Sequence, residues 1–405
     1  MDLTVLTVFI LVYLAMILGR IPGLALDRTG AALLGAIALM AAGRVSPEDA
    51  WSAVDTPTMG LLFALMVVSA QFRMSGFYSR VIRSLGALPL SPLRFLGLLV
   101  AVVGGLSALL ANDIVCLAAA PVLVGICGAR GLNPVPFLVA LACSANVGSA
   151  ATLIGNPQNM LIGQVLELSF AGYLGWAAVP AAVGLFLVWV LIAALARGKW
   201  HAAAHVVEDS APAFNAWQTG KGLAVLGILL GLFLFSPWPR DVVALAGAGL
   251  LLCSRRMRSR EILGLVDWQL LVLFFSLFVL NRALLDSGTM DRMGMALLGS
   301  GVDLSNPAWL FGTSAVLSNL VSNVPAVMLL LPSAVHPAAG PVLALSSTLA
   351  GNLFIVGSIA NIIVVDQAGR MGVGIGWRDH AWYGVPVTLA TLAFTAAWLL
   401  LAVGA

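Results

Sequence analysis

Residues 151–159 read Ala-Thr-Leu-Ile-Gly-Asn-Pro-Gln-Asn, which sets a glycine, a proline and three amides inside an apolar run. A shorter form of the pattern, Gly357-Ser358-Ile359-Ala360-Asn361, returns 202 residues later (357 minus 155). Working outward, Asn112 and Pro121 answer to Asn323 and Pro332 at an offset of 211. Val54-Asp55, Ser75-Gly76 and Arg80 answer to Val266-Asp267, Ser287-Gly288 and Arg292 at an offset of 212, and Arg28, Gly35 and Arg44 recur as Arg240, Gly247 and Arg256 in that same register. One register held over so many positions is an internal repeat, and repeats of this length in apolar chains build transporters whose halves are inverted in the bilayer.

Composition agrees. With 61% hydrophobic and 9% charged residues and a mean hydropathy of +1.04, the chain lacks the polar residues to coat a water-soluble globule. The fold class expected is an all-α polytopic membrane protein of two inverted repeats, with about ten transmembrane helices, two re-entrant hairpins and two broken helices. Residues 3–19 carry no basic leader or small-residue cleavage site and are expected to remain as a membrane helix. The net charge of +3 does not point to nucleic acid, because the basic residues lie in the loops that flank apolar runs. Cys116, Cys127, Cys143 and Cys253 show no metal or redox spacing and read as packing residues.

Apolar runs at 3–19, 29–43, 57–72, 171–196, 222–236, 241–253, 268–285 and 381–403 are candidate crossings. The chain then divides into a first transmembrane helix outside the repeat (1–27); repeat 1 (28–197), with a hairpin at 93–128 and a broken helix at 135–166; a cytoplasmic linker (198–221); a connecting transmembrane helix (222–239); and repeat 2 (240–405), with a hairpin at 307–336 and a broken helix at 341–368. Polar helix breakers at mid-depth are tolerated only where protein or a water-filled cavity covers them. The hairpin tips are therefore placed at Ala111-Asn112-Asp113 and Ser322-Asn323-Val324, and the unwound joints at Gly155 to Asn159 and Gly357 to Asn361. The alternative, in which each hairpin is a pair of full crossings, leaves the parity of crossings unchanged. Five crossings separate the starts of the two repeats, and an odd number inverts the second copy. With the N-terminus and C-terminus outside, 16 of the 20 basic residues fall in cytoplasmic loops and only Arg44, Arg240, Arg282 and Arg292 fall outside. Residues 75–88 and 287–298 read as interfacial helices, Asp55 and Asp267 as helix caps, and 372–376 as a flexible turn. His201 and His205 share metal-pair spacing without an acidic partner, so the linker reads as solvated chain and no metal or other cofactor is expected.

Two tips meeting two joints would concentrate side-chain amides and free backbone groups at one place near the membrane midplane. The substrate- or ion-binding residues expected there are Asn112, Asp113, Ser322 and Asn323 from the tips and Gly155, Asn156, Asn159, Gly357, Ser358 and Asn361 from the joints, with Gln158 beside them and Asn146, Ser149 and Thr152 lining the approach. Pro157 is expected to keep the joint from resealing. Any one of these polar groups alone would read as an interhelical hydrogen bond. Asp113 breaks the symmetry, since its counterpart is Val324. A carboxyl at mid-depth costs at least ~2.5 kcal/mol and marks function, either holding a cation or carrying the coupling proton. No Lys or Arg lies in the tips or joints, so a neutral polyhydroxyl species, a monoanion or a cation suits the site better than a di- or tricarboxylate. No nucleotide loop, metal triad or nucleophile set suggests an enzyme.

The motifs Ala-Asn-Asp-Ile-Val (111–115) with Pro121, Ala-Thr-Leu-Ile-Gly-Asn-Pro-Gln-Asn (151–159), Ser-Asn-Val-Pro (322–325) and Gly-Ser-Ile-Ala-Asn (357–361) resemble those of the ion transporter superfamily. That group contains arsenical-pump membrane proteins, divalent anion:sodium symporters, citrate transporters and a class of sodium/proton antiporters. Where the dicarboxylate branch carries Ser-Asn-Thr at both tips, this chain has Ala-Asn-Asp and Ser-Asn-Val. The Asn-Asp tip is similar to that of the arsenical pumps. The resemblance implies efflux of arsenite or antimonite against protons through the bacterial inner membrane, a homodimer, and a soluble ATPase partner as in arsenical-pump systems. The joint also resembles bacterial anion permeases, which leaves a small-anion permease and a sodium-coupled antiporter as alternatives, with a channel or receptor as a weaker class.

Overall fold

The computed structural model describes residues 2–19, 25–202, 212–255 and 257–403, and among them it contains no β-strand. A first helix, α1 (Leu3–Leu18), precedes nine helices of repeat 1: α2 (Arg28–Ala41), α3 (Pro47–Ser52), α4 (Thr56–Met74), α5 (Phe77–Gly86), α6 (Pro92–Leu109), α7 (Asn112–Ala129), α8 (Pro134–Ser149), α9 (Pro157–Val165) and α10 (Phe170–Leu195). After α11 (Ala216–Phe235) the same nine return as α12 (Arg240–Leu252), α13 (Ser259–Leu263), α14 (Trp268–Asp286), α15 (Thr289–Gly299), α16 (Pro307–Val321), α17 (Asn323–Leu330), α18 (Ala339–Ala350), α19 (Ile359–Arg370) and α20 (Trp377–Val403).

Local chemistry explains the matching ends. Asp55 Oδ1 accepts from Thr58 N at 2.7 Å and Asp267 Oδ1 from Leu270 N at 3.0 Å, so both acids cap the first turn of paired helices. Gly76 and Gly288 take the left-handed conformation (φ +69° and +61°) at the turns into α5 and α15. Among the described residues seven helices are long and apolar enough to cross a membrane, and α10, at 26 residues, spans about 39 Å. The protein is a multi-pass membrane protein.

The helices form two packed groups. In one, α1, α2, α4, α11, α12 and α14 pair across the repeats, α4 on α12 and α2 on α14. The other holds α6–α10 and α16–α20, with α6 on α8, α16 on α18, α10 on α20 and α7 on α19. At its centre, α18 is buried along its whole length and α8 from Pro136 onward. Helices apolar on every side are stable only when enclosed. Small residues allow the enclosure: a Cβ on Gly148 of α8 would lie 2.2 Å from Gly104 O of α6.

Four expectations move. The joints are 150–156 and 351–358, so they start several residues earlier than Gly155 and Gly357, and Asn159 and Asn361 sit inside the helices that follow. Pro157 is the first residue of α9, where its missing N–H costs nothing. The helix expected at 222–239 is Ala216–Phe235, which takes Lys221 out of the linker. Cys253 is exposed, unlike the buried Cys116, Cys127 and Cys143. His201 is exposed, whereas His205 and Arg256 lie outside the described residues. Asp366 pairs with Arg370 at 2.9 Å on an exposed surface.

Gly148→Ala should force α6 and α8 apart and destabilise by about 1–3 kcal/mol, because backbone rather than a flexible side chain blocks the new methyl. Thermal unfolding in detergent, with Gly105→Ala as the unhindered control, reads the difference.

Candidate functional site

Each joint interrupts a helix in the protein interior, which leaves carbonyls without intrahelical partners. Asn159 Nδ2 donates to Thr152 O at 2.9 Å and to Ser149 O at 3.4 Å. Asn361 Nδ2 donates to the two equivalent carbonyls, Phe354 O at 3.0 Å and Gly351 O at 2.8 Å. A second donor arrives from the long helix behind each joint: Tyr173 OH to Ala150 O at 2.7 Å, and His380 Nε2 to Asn352 O at 3.1 Å. The Gly-x-x-x-Asn pattern is thus an amide reaching back seven and ten residues, across its own joint, to hold it open. Gly155 and Gly357 permit close backbone approach, since a Cβ on either would meet Ser149 O at 2.3 Å or Asn319 Oδ1 at 2.8 Å.

The two halves are knotted at Asn146 and Thr348, which occupy equivalent positions. Asn146 Nδ2 donates to Asn352 Oδ1 (2.8 Å) and Asn361 Oδ1 (3.2 Å), while its Oδ1 accepts from Asn112 Nδ2 (3.2 Å) and Ser358 Oγ (2.9 Å). Thr348 Oγ1 contacts Asn156 Nδ2 (3.4 Å), Gln158 Nε2 (3.1 Å) and Asn159 Oδ1 (3.4 Å). Asn323, with its amide oriented to suit its neighbours, donates to Ser347 O (3.0 Å) and Gly357 O (3.1 Å) and accepts from Gln158 Nε2 (3.3 Å).

Tips and joints together enclose a cavity of about 20 Å³, lined by Asn112, Asp113, Asn156, Pro157, Gln158, Ser322, Asn323, Val324, Ser358 and Ile359. Six of the ten residues expected from sequence are therefore gathered here. The other four, Gly155, Asn159, Gly357 and Asn361, do not line the cavity, and the two asparagines have their amide groups committed to the joints and to Thr348 and Asn146. Asn112 Oδ1 is a buried acceptor without a partner among the described residues. Asp113 forms no salt bridge among them. At the second tip Ser322 adopts φ +81° and ψ 161°, a region that strains any residue with a Cβ by about 1–3 kcal/mol. The first tip is pinned to α4 by Ser69 Oγ accepting from Ala111 N at 3.3 Å, and α17 to α1 by Tyr13 OH donating to Pro325 O at 3.3 Å.

Two larger cavities lie where the two helix groups meet. One, of about 200 Å³, is lined by Arg73, Asp113, Leu117, Leu265, Asp267 and Ile363, among others, and shares Asp113 and Pro157 with the lining of the small cavity. The other, of about 310 Å³, holds Leu285, Met328, Ala53 and Leu161, the repeat equivalents of Arg73, Leu117, Leu265 and Ile363, together with Asn281 and Arg282. The end of α4 and the start of α14 line the first, and the end of α3, which leads into α4, and the end of α14 line the second, so α4 and α14 run antiparallel and the cavities lie toward opposite ends of that pair. No residue lines both the second vestibule and the small cavity.

Residues 11–350 match the family described as Citrate transporter. The chain belongs to that family. A Mycobacterium tuberculosis protein described as an uncharacterized transporter is 30% identical, with 98% of each chain covered. The silicon efflux transporter LSI3 of Oryza sativa subsp. japonica is 28% identical over 92% of each, and the putative transporter arsB of Dictyostelium discoideum 23% identical over 91% of this chain and 86% of its own. The crystal structure of the YdaH transporter of Alcanivorax borkumensis matches the fold, with a TM-score of 0.59, 15% identity and coverage of 98% of this chain and 97% of that one. This member of the citrate transporter family is a membrane transporter.

Sequence reasoning missed Tyr173, His380, Thr348 and Arg73. Thr348 answers to Asn146 in the 202 register already visible in the sequence, whereas Tyr173 and His380 are the fourth residues of α10 and α20, at an offset of 207 (380 minus 173) that is hidden until the helix ends are known. Arg73 was legible as a charge at the end of an apolar run that answers to Leu285, yet nothing local aims it at Asp113.

Removing either joint amide should leave carbonyls unpaired at a cost of about 1–3 kcal/mol. Asn159→Ala and Asn361→Ala are therefore expected to lower the unfolding temperature together, as equivalent lesions, while Asn112→Ala leaves it closer to wild type. Scanning the purified variants by tryptophan fluorescence during heating tests the ranking.

Proposed function

We propose that this transporter exports a small, uncharged, hydroxylated solute, with arsenite or antimonite as the substrate, across the cytoplasmic membrane in exchange for protons by alternating access. The observation that carries the reading is the lining of the central cavity among the described residues: amides and hydroxyls from both repeats, one carboxyl, an unpaired amide oxygen on Asn112, and no Lys or Arg. A neutral M(OH)₃ or M(OH)₄ molecule donates to such acceptors without needing a counter-charge. Silicon dissolved near neutral pH is the uncharged tetrahydroxide, so the cargo named for the rice relative has the same chemistry as arsenous acid. A tricarboxylate would demand cations that the cavity does not offer. In this reading Asn112, Asn156, Ser322, Asn323 and Ser358 bind the solute, Asp113 carries the proton, and Asn159, Asn361, Gly155 and Gly357 position the joints. Arg73 in the adjoining vestibule favours a second reading, a small-anion permease of the same architecture.

The hairpins enter as re-entrant elements, the first from the cytoplasm and the second from outside, and both termini face outward. The distribution of basic residues supports this orientation.

Everted vesicles should take up arsenite when the exterior-facing leaflet of the pump is exposed to acid, and a sodium gradient at constant pH should have no effect. Asp113→Asn should lose uphill accumulation and retain downhill exchange. Sodium dependence, or chloride- or phosphate-like competition in place of arsenite flux, would replace the proposal by the alternatives.

Orientation has its own test in a native residue. Cys253 is the exposed cysteine and stands at the end of α12 assigned to the cytoplasm. A membrane-impermeant maleimide should label it in everted vesicles and spare it in intact cells; the reverse pattern inverts the topology.

A further inference from the structure

The two vestibules are copies of one cavity with different chemistry. In the one that shares Asp113 and Pro157 with the central site, α4 contributes Arg73, α7 Asp113 and the cap of α14 Asp267, while α9 and α19 present only Pro157, Met160 and Ile363 among the described residues. Arg73, Asp113 and Asp267 are the ionisable side chains that line it among the described residues. The other vestibule has Arg282, paired to Asp286 at 2.8 Å, and no carboxylate in its lining. The repeat equivalents of Arg73 and Asp113 are Leu285 and Val324, and Asp55, the equivalent of Asp267, does not line the second vestibule. Asp267 is exposed, at the mouth, whereas Asp113 is partly buried where the vestibule meets the central cavity. Its cap bond to Leu270 uses Oδ1. The vestibule that both carboxyls line measures about 200 Å³, many times the roughly 10–15 Å³ of cavity that one water needs.

We propose that Asp267 is the inner proton relay: it takes the coupling proton that Asp113 releases toward the cytoplasm. The inference rests on the reading of Asp113 as the proton carrier. The O–H bond of the Asp113 carboxyl breaks, vestibule water passes the proton on, an O–H bond forms at a carboxylate oxygen of Asp267, and bulk water removes it. One proton moves and no other bond changes. The opposite vestibule has no equivalent carboxylate, so the device serves discharge on one side only.

A helix cap and a proton relay respond in opposite ways to two substitutions. Asn caps a helix as well as Asp but cannot relay a proton, whereas Glu carries a proton but caps poorly. In proteoliposomes loaded with arsenite, Asp267→Asn should slow flux driven by a pH gradient about tenfold, Asp267→Glu should stay within about twofold of wild type, and arsenite exchange without a gradient should change little in either. Asp55→Asn, at the equivalent cap, should match wild type throughout. Wild-type gradient-driven flux in Asp267→Asn, or greater loss in Asp267→Glu than in Asp267→Asn, overturns the relay. Asp113→Asn run in parallel separates the failures: if it keeps full proton coupling, the carrier assignment falls, and if it loses coupling while Asp267→Asn does not, only the relay does.

Discussion

A peptide group facing hydrocarbon has no water to bond with, and this constraint governs where the chain can leave the helix. The protein breaks two helices in its interior, and each break frees carbonyls that must find donors inside the protein. The donors are the same in kind at both places: an asparagine one turn beyond the joint and an aromatic-sized side chain from the long helix behind it, Tyr173 in one half and His380 in the other. Everything polar at the centre builds on these closures. With the backbone satisfied by Asn159 and Asn361, the remaining amides of Asn112, Asn156, Gln158 and Asn323 are left to shape a cavity.

Symmetry supplies the scaffold and its violations supply the chemistry. Helix order, caps, left-handed glycines and joint closures repeat, which is what two halves that exchange roles across a membrane require. Where the halves differ, charge enters: Asp113 answers to Val324, Arg73 answers to Leu285, and the vestibule containing them is the one that shares lining residues with the central cavity. The copy of that vestibule has Arg282 but no carboxylate among its described lining residues, which gives the two cavities different electrostatics while keeping one packing plan.

Asn146 and Thr348 tie the joints of the two repeats to each other through side-chain bonds of 2.8 to 3.4 Å. A shift of one joint is therefore felt by the other. Ser322, held at positive φ on the second tip, stores strain at the residue that lines the cavity, and its partner Ala111 carries none. The second arm of that hairpin is also the shorter, eight helical residues against eighteen in the first.

The amino-acid sequence alone determined the class, the repeat, the capping acids and the gathering of tips and joints, because all of these rest on local rules: hydropathy, capping geometry, and the cost of polar groups in lipid. It also determined that Asp113 breaks the symmetry. The tertiary structure decided which amides face the cavity. Asn156 and Asn159 are three residues apart in one motif and indistinguishable by type, yet one lines the site and the other closes the joint, because the joint begins at 150 and the helix restarts at 157. The same holds for Arg73 and Asp267, which are 194 residues apart (267 minus 73) and become neighbours only when antiparallel α4 and α14 bring opposite ends of the two repeats to one vestibule. Proximity of that kind is a property of helix packing between halves, and no local pattern encodes it.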